Sequence, residues 1–438
     1  MSKSFSLGLF AGALLLSVAA FPPHGHGAGA VLLGWNDLGM HCMDSDYSVF
    51  SILPPYNTIH AQLIVQGRRV DQASGYTVTY EAVADPSGSS NTTSVGKTKF
   101  WQYVEPLFGS PLAADMGLAG FAMPGPDNVP QAMSFDPAWS WFTGEGIPLT
   151  PYDDAGLKNY YPLMRLTARN AAGQVIATTD VVLPVSDEMD CRACHASGSH
   201  PAARPAAGWV WSGDPERDYR LNILRLHDER NQSPAYVQAL VANGYHPAGL
   251  YRTVTAWGRP VLCARCHRSN ALPGTGTGDI SPLTTAVHRR HAAVQDPLTG
   301  LTLDATANRS ACYRCHPGSE TRCLRGVMGD SVAADGSRAI QCQSCHGSMS
   351  AVGDPAREGW LDMPNCQACH TGTATHNNGQ IRYTTALEPS GQLRQAVDAT
   401  FATQPDTPAP GVSLYRFSTG HGGLQCEACH GSTHAEYP

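Results

Sequence analysis

Twelve of the fourteen cysteines in this 438-residue chain fall into one repeated pattern, Cys-x-x-Cys-His. Two thiols at this spacing can form thioethers to the vinyl groups on one edge of a porphyrin. The histidine that follows is then placed to bind the iron from one face. The pattern therefore predicts covalent haem attachment. It occurs six times, as CRACH, CARCH, CYRCH, CQSCH, CQACH and CEACH, beginning at residues 191, 263, 312, 342, 366 and 426.

A Cys-x-x-Cys pair also occurs in zinc sites, thioredoxin-like redox motifs and local disulfides. None of these requires a histidine directly after the second cysteine, and no thioredoxin-like βαβ pattern surrounds these pairs. Because all six pairs are followed by histidine, we expect six covalent c-type haems. The expected attachment residues are Cys191, Cys194, Cys263, Cys266, Cys312, Cys315, Cys342, Cys345, Cys366, Cys369, Cys426 and Cys429. The iron ligands within the motifs are His195, His267, His316, His346, His370 and His430.

The ligand on the opposite face of each iron decides the chemistry. A second histidine closes the iron and gives a low-potential electron carrier, a methionine raises the potential, and an open face can bind substrate. The haem region holds eight further histidines, and six are needed to close every iron. The expected distal ligands are His227, His288, His291, His376, His421 and His434. His200, His246 and His41 are second-choice candidates for distal ligands, and His60 is expected to pack within a strand.

Cys42 and Cys323 lie outside the motifs. In an exported protein they can pair as a disulfide, which we favour, or remain two separate buried small residues. Asp44 and Asp46 follow Cys42, and two aspartates in this setting are more typical of turn-capping carboxylates than of a cation site.

The N-terminus resembles an export signal. Lys3 precedes the apolar run 7–20, and small residues suited to cleavage follow near residues 20 and 30. The alternative is an uncleaved membrane anchor. We therefore expect a signal peptide over residues 1–30 and a periplasmic, outer-surface or extracellular location.

Residues 31–185 contain no haem motif and are expected to form a separate β-rich, sandwich-like domain. Strand patterns occur at 58–65, 76–83, 163–168 and 175–182, the last two flanking a turn at 170–173. Residues 186–438 hold all six motifs. There we expect a loop-rich, mainly α haem domain with little regular secondary structure. Helical patterns occur at 218–230 and at 284–292, where His288 and His291 fall on one face.

Several phrases of the haem region resemble exported multihaem c-type cytochromes of anaerobic, often metal-respiring bacteria. They include LRLHDERN at 224–231, RPVLCARCHRSNAL at 259–272, AVHRRHA at 286–292 and GLQCEACHGSTHAEYP at 423–438. NDLGMHC at 36–42 is similar to the leader module of the same proteins. The resemblance implies electron transfer to redox partner proteins or extracellular acceptors, and allows self-assembly into filaments.

Composition excludes some other functions. Only 15 % of residues are charged, the net charge is −7, and no basic run indicates a nucleic-acid partner. No serine–histidine–aspartate or phosphate-loop pattern indicates a catalytic residue, so we expect an electron carrier rather than an enzyme. The alternative is a multihaem reductase that acts on a small oxyanion or sulfur species at one open iron. The CxxCK variant that marks the catalytic haem of nitrite reductases is absent from the sequence.

Overall fold

The computed structural model describes residues 29–37, 39–72, 75–109, 111–189, 191–269, 271–272, 274–317, 321, 341–356, 419–420, 422–425 and 427–431. Residues 1–28 of the predicted signal peptide, Cys323, the fifth motif and Cys426 of the sixth motif lie outside these residues. Within the described part, no helix is both long enough and apolar enough to cross a bilayer.

The main strands are β1 (Ala30–Asn36), β2 (His41–Cys42), β3 (Phe50–Ser51), β4 (Tyr56–Val65), β5 (Arg68–Arg69), β6 (Tyr76–Val83), β7 (Gln131–Ala132), β8 (Ser134–Asp136), β9 (Trp141–Pro148), β10 (Leu163–Asn170) and β11 (Val175–Val182). Four short strands follow: β12 (Val185–Ser186), β13 (Val261–Leu262), β14 (Thr419–Gly420) and β15 (Leu424–Gln425).

The helices are α1 (Phe100–Phe108), α2 (Arg192–His195), α3 (Pro215–Arg230), α4 (Pro234–Ala242), α5 (Leu250–Trp257), α6 (Leu283–His291), α7 (Cys342–His346), α8 (Met349–Val352) and α9 (Glu427–His430). Single 3₁₀ turns lie at Pro201–Ala203, Cys263–Arg265 and Ala311–Arg314.

Two antiparallel sheets form the first half of the fold. One has the order β1-β4-β9-β8 with β5 added on β4, and the other has the order β11-β10-β6-β7. Their facing apolar side chains form the largest core. Gly34 marks the closest approach, because a Cβ built there would lie 2.5 Å from a methyl of Val181 and 2.6 Å from one of Leu166. A glycine is therefore required where β1 crosses the second sheet.

The predicted strands are confirmed. β4, β6, β10 and β11 cover the four sequence patterns, and β10 and β11 form the expected antiparallel hairpin. The Asn170 side chain accepts hydrogen bonds from the backbone of Ala172 and Gln174, both at 3.0 Å. Gly173 supplies the left-handed conformation that closes this turn, with φ 77°.

The expected fold class is wrong. Antiparallel strands are the principal elements of the described chain, so as a whole it is not the mainly α, loop-rich cytochrome fold that was expected. β12 and β13 pair in parallel with β2 and β3. The region after residue 185 therefore shares sheets with residues 41–51, which we call the leader segment. The prediction failed because Gly and Pro content indicates loops but does not show which short segments find a strand partner.

Helix α3 shows how the haem region forms regular structure despite its prolines. Pro215 occupies the first helical position, and the Asp214 side chain accepts hydrogen bonds from the backbone of Glu216 and Arg217. Its apolar face contributes Leu221 and Leu224 to a second core. Phe50, Val261 and residues of α4 and α5 complete this core, and Cys263 and Cys266 pack against it.

Asp44 is a buried carboxylate that organises the leader segment. One of its oxygens accepts hydrogen bonds from the Ser51 hydroxyl and from the backbone of Ile52 and Leu53, at 2.8 to 3.0 Å. Asp46 likewise accepts from the backbone and hydroxyl of Ser48. The turn-capping role predicted for both aspartates is confirmed. Burial raises the pKa of Asp44 to about 6, against the lowering effect of nearby Arg220.

This raised pKa predicts a pH-dependent stability difference between the protein and its Asp44→Asn variant. Folded Asp44 keeps its proton up to about pH 6, whereas the unfolded chain loses it near 3.8, so ionisation destabilises the fold as pH rises through this window. Asparagine stays neutral and can keep the same acceptor bonds. Relative to the parent protein, the variant should gain about 2.4 kcal/mol between pH 4 and pH 7, measured by guanidinium unfolding.

Asp85→Asn is the matched control, and it should change the stability of the protein in the opposite direction. Asp85 is half-buried, and the Ser87 hydroxyl lowers its pKa, so its replacement should cost stability above pH 4 and not below. A stability difference between Asp44→Asn and the parent protein that stays constant from pH 4 to pH 7 would contradict the raised pKa of Asp44.

Candidate haem sites

Each described motif forms a single helical turn. In the first three, the backbone N–H of the histidine donates to the carbonyl of the first cysteine, at 3.0, 3.0 and 2.9 Å. The fourth motif is the short helix α7. Residues three and four apart share one helix face, so this turn presents both thiols and the imidazole on the same side of the backbone. Such an arrangement suits one porphyrin edge and one iron.

Three motif histidines face a second histidine from elsewhere in the chain. The ring centres of His195 and His291 are 6.2 Å apart, with planes at 72°. Those of His267 and His227 are 6.3 Å apart at 88°. Those of His316 and His288 are 6.1 Å apart at 22°. All three partners are among the distal ligands that the sequence predicts.

These separations match the size of a six-coordinate iron site. Two metal–nitrogen bonds of about 2 Å each place the facing nitrogens about 4 Å apart and the ring centres about 6 Å apart. The separations of 6.1 to 6.3 Å in the three pairs are therefore compatible with bis-histidine haem ligation.

Second hydrogen bonds orient the rings. The Nδ1 atoms of His288, His291 and His267 lie 2.8, 2.7 and 2.8 Å from the carbonyl oxygens of Thr284, Val287 and Ser281. A carbonyl only accepts, so each Nδ1 carries the proton. Nε2 is then the ring nitrogen that could bind a metal, as in other histidine metal sites.

His227 is oriented through Tyr236 rather than a carbonyl. The Tyr236 hydroxyl donates to Asp228 at 2.5 Å, so its oxygen can accept from Nδ1 of His227 at 3.2 Å. Burial raises the pKa of Asp228, and the carboxylate also accepts from two backbone N–H groups of α5. Tyr236 is a positioning residue that sequence reasoning missed, because its contact with α3 depends on how α4 packs.

Burial keeps two of these histidines neutral. It lowers the pKa of His195 to about 4, with further lowering from His291, Arg230 and His200. It lowers the pKa of His227 to about 4 as well, with further lowering from His267 and Arg290. Since a protonated imidazole cannot bind iron, both rings have the form a metal ligand needs at neutral pH.

Two helices bring the first three motifs together. Helix α6 carries both His288 and His291, which serve the third and the first motif respectively. Helix α3 carries His227 toward the second motif. It also carries Asn222, whose amide donates to the carbonyl of His195 at 3.0 Å. The three sites therefore adjoin one another.

The third and fourth motifs meet through their first cysteines. The Cys312 and Cys342 thiols form a hydrogen bond to each other. Arg309 lies beside both, and its three guanidinium nitrogens are buried without a hydrogen-bond partner among the described residues. Buried polar atoms are ordinarily paired. A guanidinium is the natural partner of a carboxylate, so Arg309 fits the propionates of a haem at this junction.

Cys42 contacts the third site. Its side chain hydrogen-bonds to His316, the motif histidine of that site. β2, which contains Cys42, is held in place by its pairing with β12. Cys323 lies outside the described residues, so the Cys42–Cys323 disulfide stays a prediction.

The three second-choice candidates for distal ligands contact the backbone instead of a motif histidine in the described part of the chain. The Nε2 atom of His41 lies 2.8 Å from the carbonyl of Pro54. His200 and His246 each accept a backbone N–H two residues ahead, at 3.2 and 2.9 Å, as turn residues do. His346 lies in α7 and is half-buried. The structure does not describe His370, His376, His421 and His434, nor the side chain of His430.

Among the described residues, no group of three or more histidine, cysteine, aspartate or glutamate side chains converges. A porphyrin supplies four nitrogens to its iron and asks for only two ligands from the protein, so a pair of histidines is sufficient for a haem.

Comparison with known proteins identifies no family. No protein-family model matches the chain, and no curated protein matches it. The likeness to exported multihaem cytochromes therefore stays a prediction from the motifs.

The histidine pairs predict which substitution opens which iron. In the haem-loaded protein, His288→Ala should convert one haem in six from low spin to high spin, and His291→Ala should convert a different one. Because the His288 pair is nearly parallel, its loss should remove a rhombic low-spin EPR signal. Loss of His291 from its steeply crossed pair should remove a large-g signal.

His246→Ala is the control and should leave the EPR spectrum unchanged. If His288→Ala and His291→Ala affect the same haem, or neither produces a high-spin signal, the assigned pairs are wrong.

Proposed function

We propose that this chain is an electron-transfer c-type cytochrome that carries six covalent haems. The observation that carries the proposal is the set of three histidine pairs, each joining a motif histidine to a second histidine at 6.1 to 6.3 Å. The motif turns present the thiols, and the paired imidazoles close both faces of the iron. Haem iron bound in such sites exchanges single electrons between its ferric and ferrous states.

The protein's own residues would set the reduction potentials of the haems and the distances between them. Histidine on both faces favours low potentials and leaves no coordination site for substrate. The shared helix α6 and the contact between Cys312 and Cys342 keep successive sites adjacent. Second hydrogen bonds to Nδ1, such as those from α6 to its own carbonyls, make the imidazoles more basic and support the ferric state.

The proposed setting is outside the cytoplasm, either in the periplasm or at the cell surface. The N-terminal signal and the attachment chemistry support export. The proposed partners are redox proteins or extracellular electron acceptors, together with further copies of this chain through self-assembly.

The proposal predicts that no haem in the parent protein binds a small anion. The oxidised protein should show only low-spin signals by EPR and resonance Raman spectroscopy, unchanged by added nitrite or sulfite. Because His291→Ala opens one iron, that variant should bind nitrite and serves as the positive control. A high-spin fraction in the parent protein that shifts with nitrite or sulfite would instead support a reductase.

A further inference from the structure

The first cysteines of the third and fourth motifs lie against each other. Cys312 belongs to the 3₁₀ turn Ala311–Arg314, and Cys342 begins helix α7. Their thiols are hydrogen-bonded, and both side chains are half-buried. Because the two residues belong to different motifs, the packing of the chain, and no local sequence pattern, brings these thiols together.

A buried hydrogen-bond network holds the two motifs in this arrangement. Gln343 follows Cys342 and is 5 % exposed, and its amide donates to the carbonyls of Asn308 and Arg309 at 3.2 and 3.4 Å. The Asn308 amide donates to the fully buried carboxylate of Asp296 at 3.1 Å. The start of α7 is therefore fixed to the segment that leads into the third motif.

A second set of contacts lies just beyond α7. The backbone N–H and the hydroxyl of Ser350 both donate to Asp304 at 2.7 Å. Gly353 packs closely on α6, because a Cβ built there would lie 2.6 Å from the backbone nitrogen of Arg289. Residues 341–356 are thus docked at several points, so the approach of the two thiols is a property of the fold.

A buried guanidinium lies beside both thiols. Arg309 interacts electrostatically with Cys312 and Cys342, and its three nitrogens have no hydrogen-bond partner among the described residues. A nearby cation favours the thiolate, which is the attacking form in thiol–disulfide exchange. The hydrogen bond with Cys312 also lowers the pKa of Cys342 to about 7, against the effect of burial. Before haem is present, this pair therefore has the surroundings of reactive thiols.

We propose that Cys312 and Cys342 form a disulfide in the exported chain before haem is attached. In the exchange, an S–S bond forms between the two cysteines and the S–S bond of a donor disulfide breaks. The donor leaves as two thiols that carry the two protons and the two electrons. It is a protein or small-molecule disulfide of the kind that oxidises proteins outside the cytoplasm.

This disulfide controls two motifs at once. While it persists, neither Cys312 nor Cys342 can form a thioether. Reduction of its single S–S bond returns both thiols, so the third and fourth motifs become ready for haem together. The disulfide itself needs no haem, whereas its control of attachment rests on the proposed function.

The competing product is a disulfide within one motif. Cys315 lies near Cys312 on the same turn, and the two could pair with each other. Trypsin separates these outcomes, because cleavage after Arg314 leaves Cys312 and Cys315 on different peptides and Cys342 falls on a third. A cross-linked peptide pair therefore identifies the partner of Cys312.

The test uses the full chain, exported by a host that does not attach c-type haem. Free thiols are alkylated in acid, and the unreduced tryptic peptides are analysed by mass spectrometry. Most chains should contain the Cys312 peptide joined to the Cys342 peptide. During titration with dithiothreitol, Cys312 and Cys342 should become alkylated to the same extent at every concentration, because one bond releases both.

Two variants serve as matched controls. Cys342→Ser should abolish the cross-link between these peptides, which also excludes Cys345 as the partner on the same peptide. Cys263→Ser removes the equivalent cysteine of the second motif and should leave the cross-link unchanged. The proposal is overturned if Cys312 in the parent chain is mainly alkylated or joined to Cys315, or if the cross-link survives in Cys342→Ser.

Failure of the proposed function would look different. A chain from a host that attaches c-type haem, if purified without haem, would refute the electron-transfer proposal whatever the peptide map shows. A haem-loaded protein whose haem-free form lacks the cross-link would refute only the disulfide.

Discussion

The long-range pairing of imidazoles, with ring centres 6.1 to 6.3 Å apart, is the interaction that ties the first three motifs to the rest of the chain. Each motif turn fixes one imidazole relative to its two thiols, and the rest of the chain must deliver the other. The long-range packing of α3 and α6 does so for three motifs. Burial keeps the rings of His195 and His227 neutral, and Nδ1 hydrogen bonds keep the rings of α6 turned toward their partners.

The β-rich half of the chain is joined to these sites by strand pairing and by packing. β12 and β13 add to strands of the leader segment, and the second core joins Phe50 to α3 and to the cysteines of the second motif. Cys42 reaches the third motif, and Gln62 of β4 accepts a hydrogen bond from Gln425, which precedes the sixth motif in the sequence. A shift of either sheet would therefore disturb the candidate haem sites, which couples the stability of the strands to the geometry of these sites.

Local sequence patterns were enough to predict part of the fold and part of the candidate sites. The alternation at 76–83 and the Asn170 turn gave strands and a hairpin, and the three-residue spacing of His288 and His291 gave one helix face. The features that the sequence could not predict depend on packing between distant segments. It could not show that His227 belongs to the second motif, that Arg309 is buried between two motifs, or that the haem region shares sheets with the leader. Composition misled where it predicted loops, because Pro215 begins a helix instead of breaking one.

The most direct test of the central claim is the haem content of the exported, purified protein, measured as a pyridine haemochrome together with bound iron and zinc. The account predicts six covalently attached haems and six iron atoms per chain, with the haem retained after denaturation. A colourless protein whose Cys-x-x-Cys pairs hold zinc, or are joined in disulfides, would contradict it.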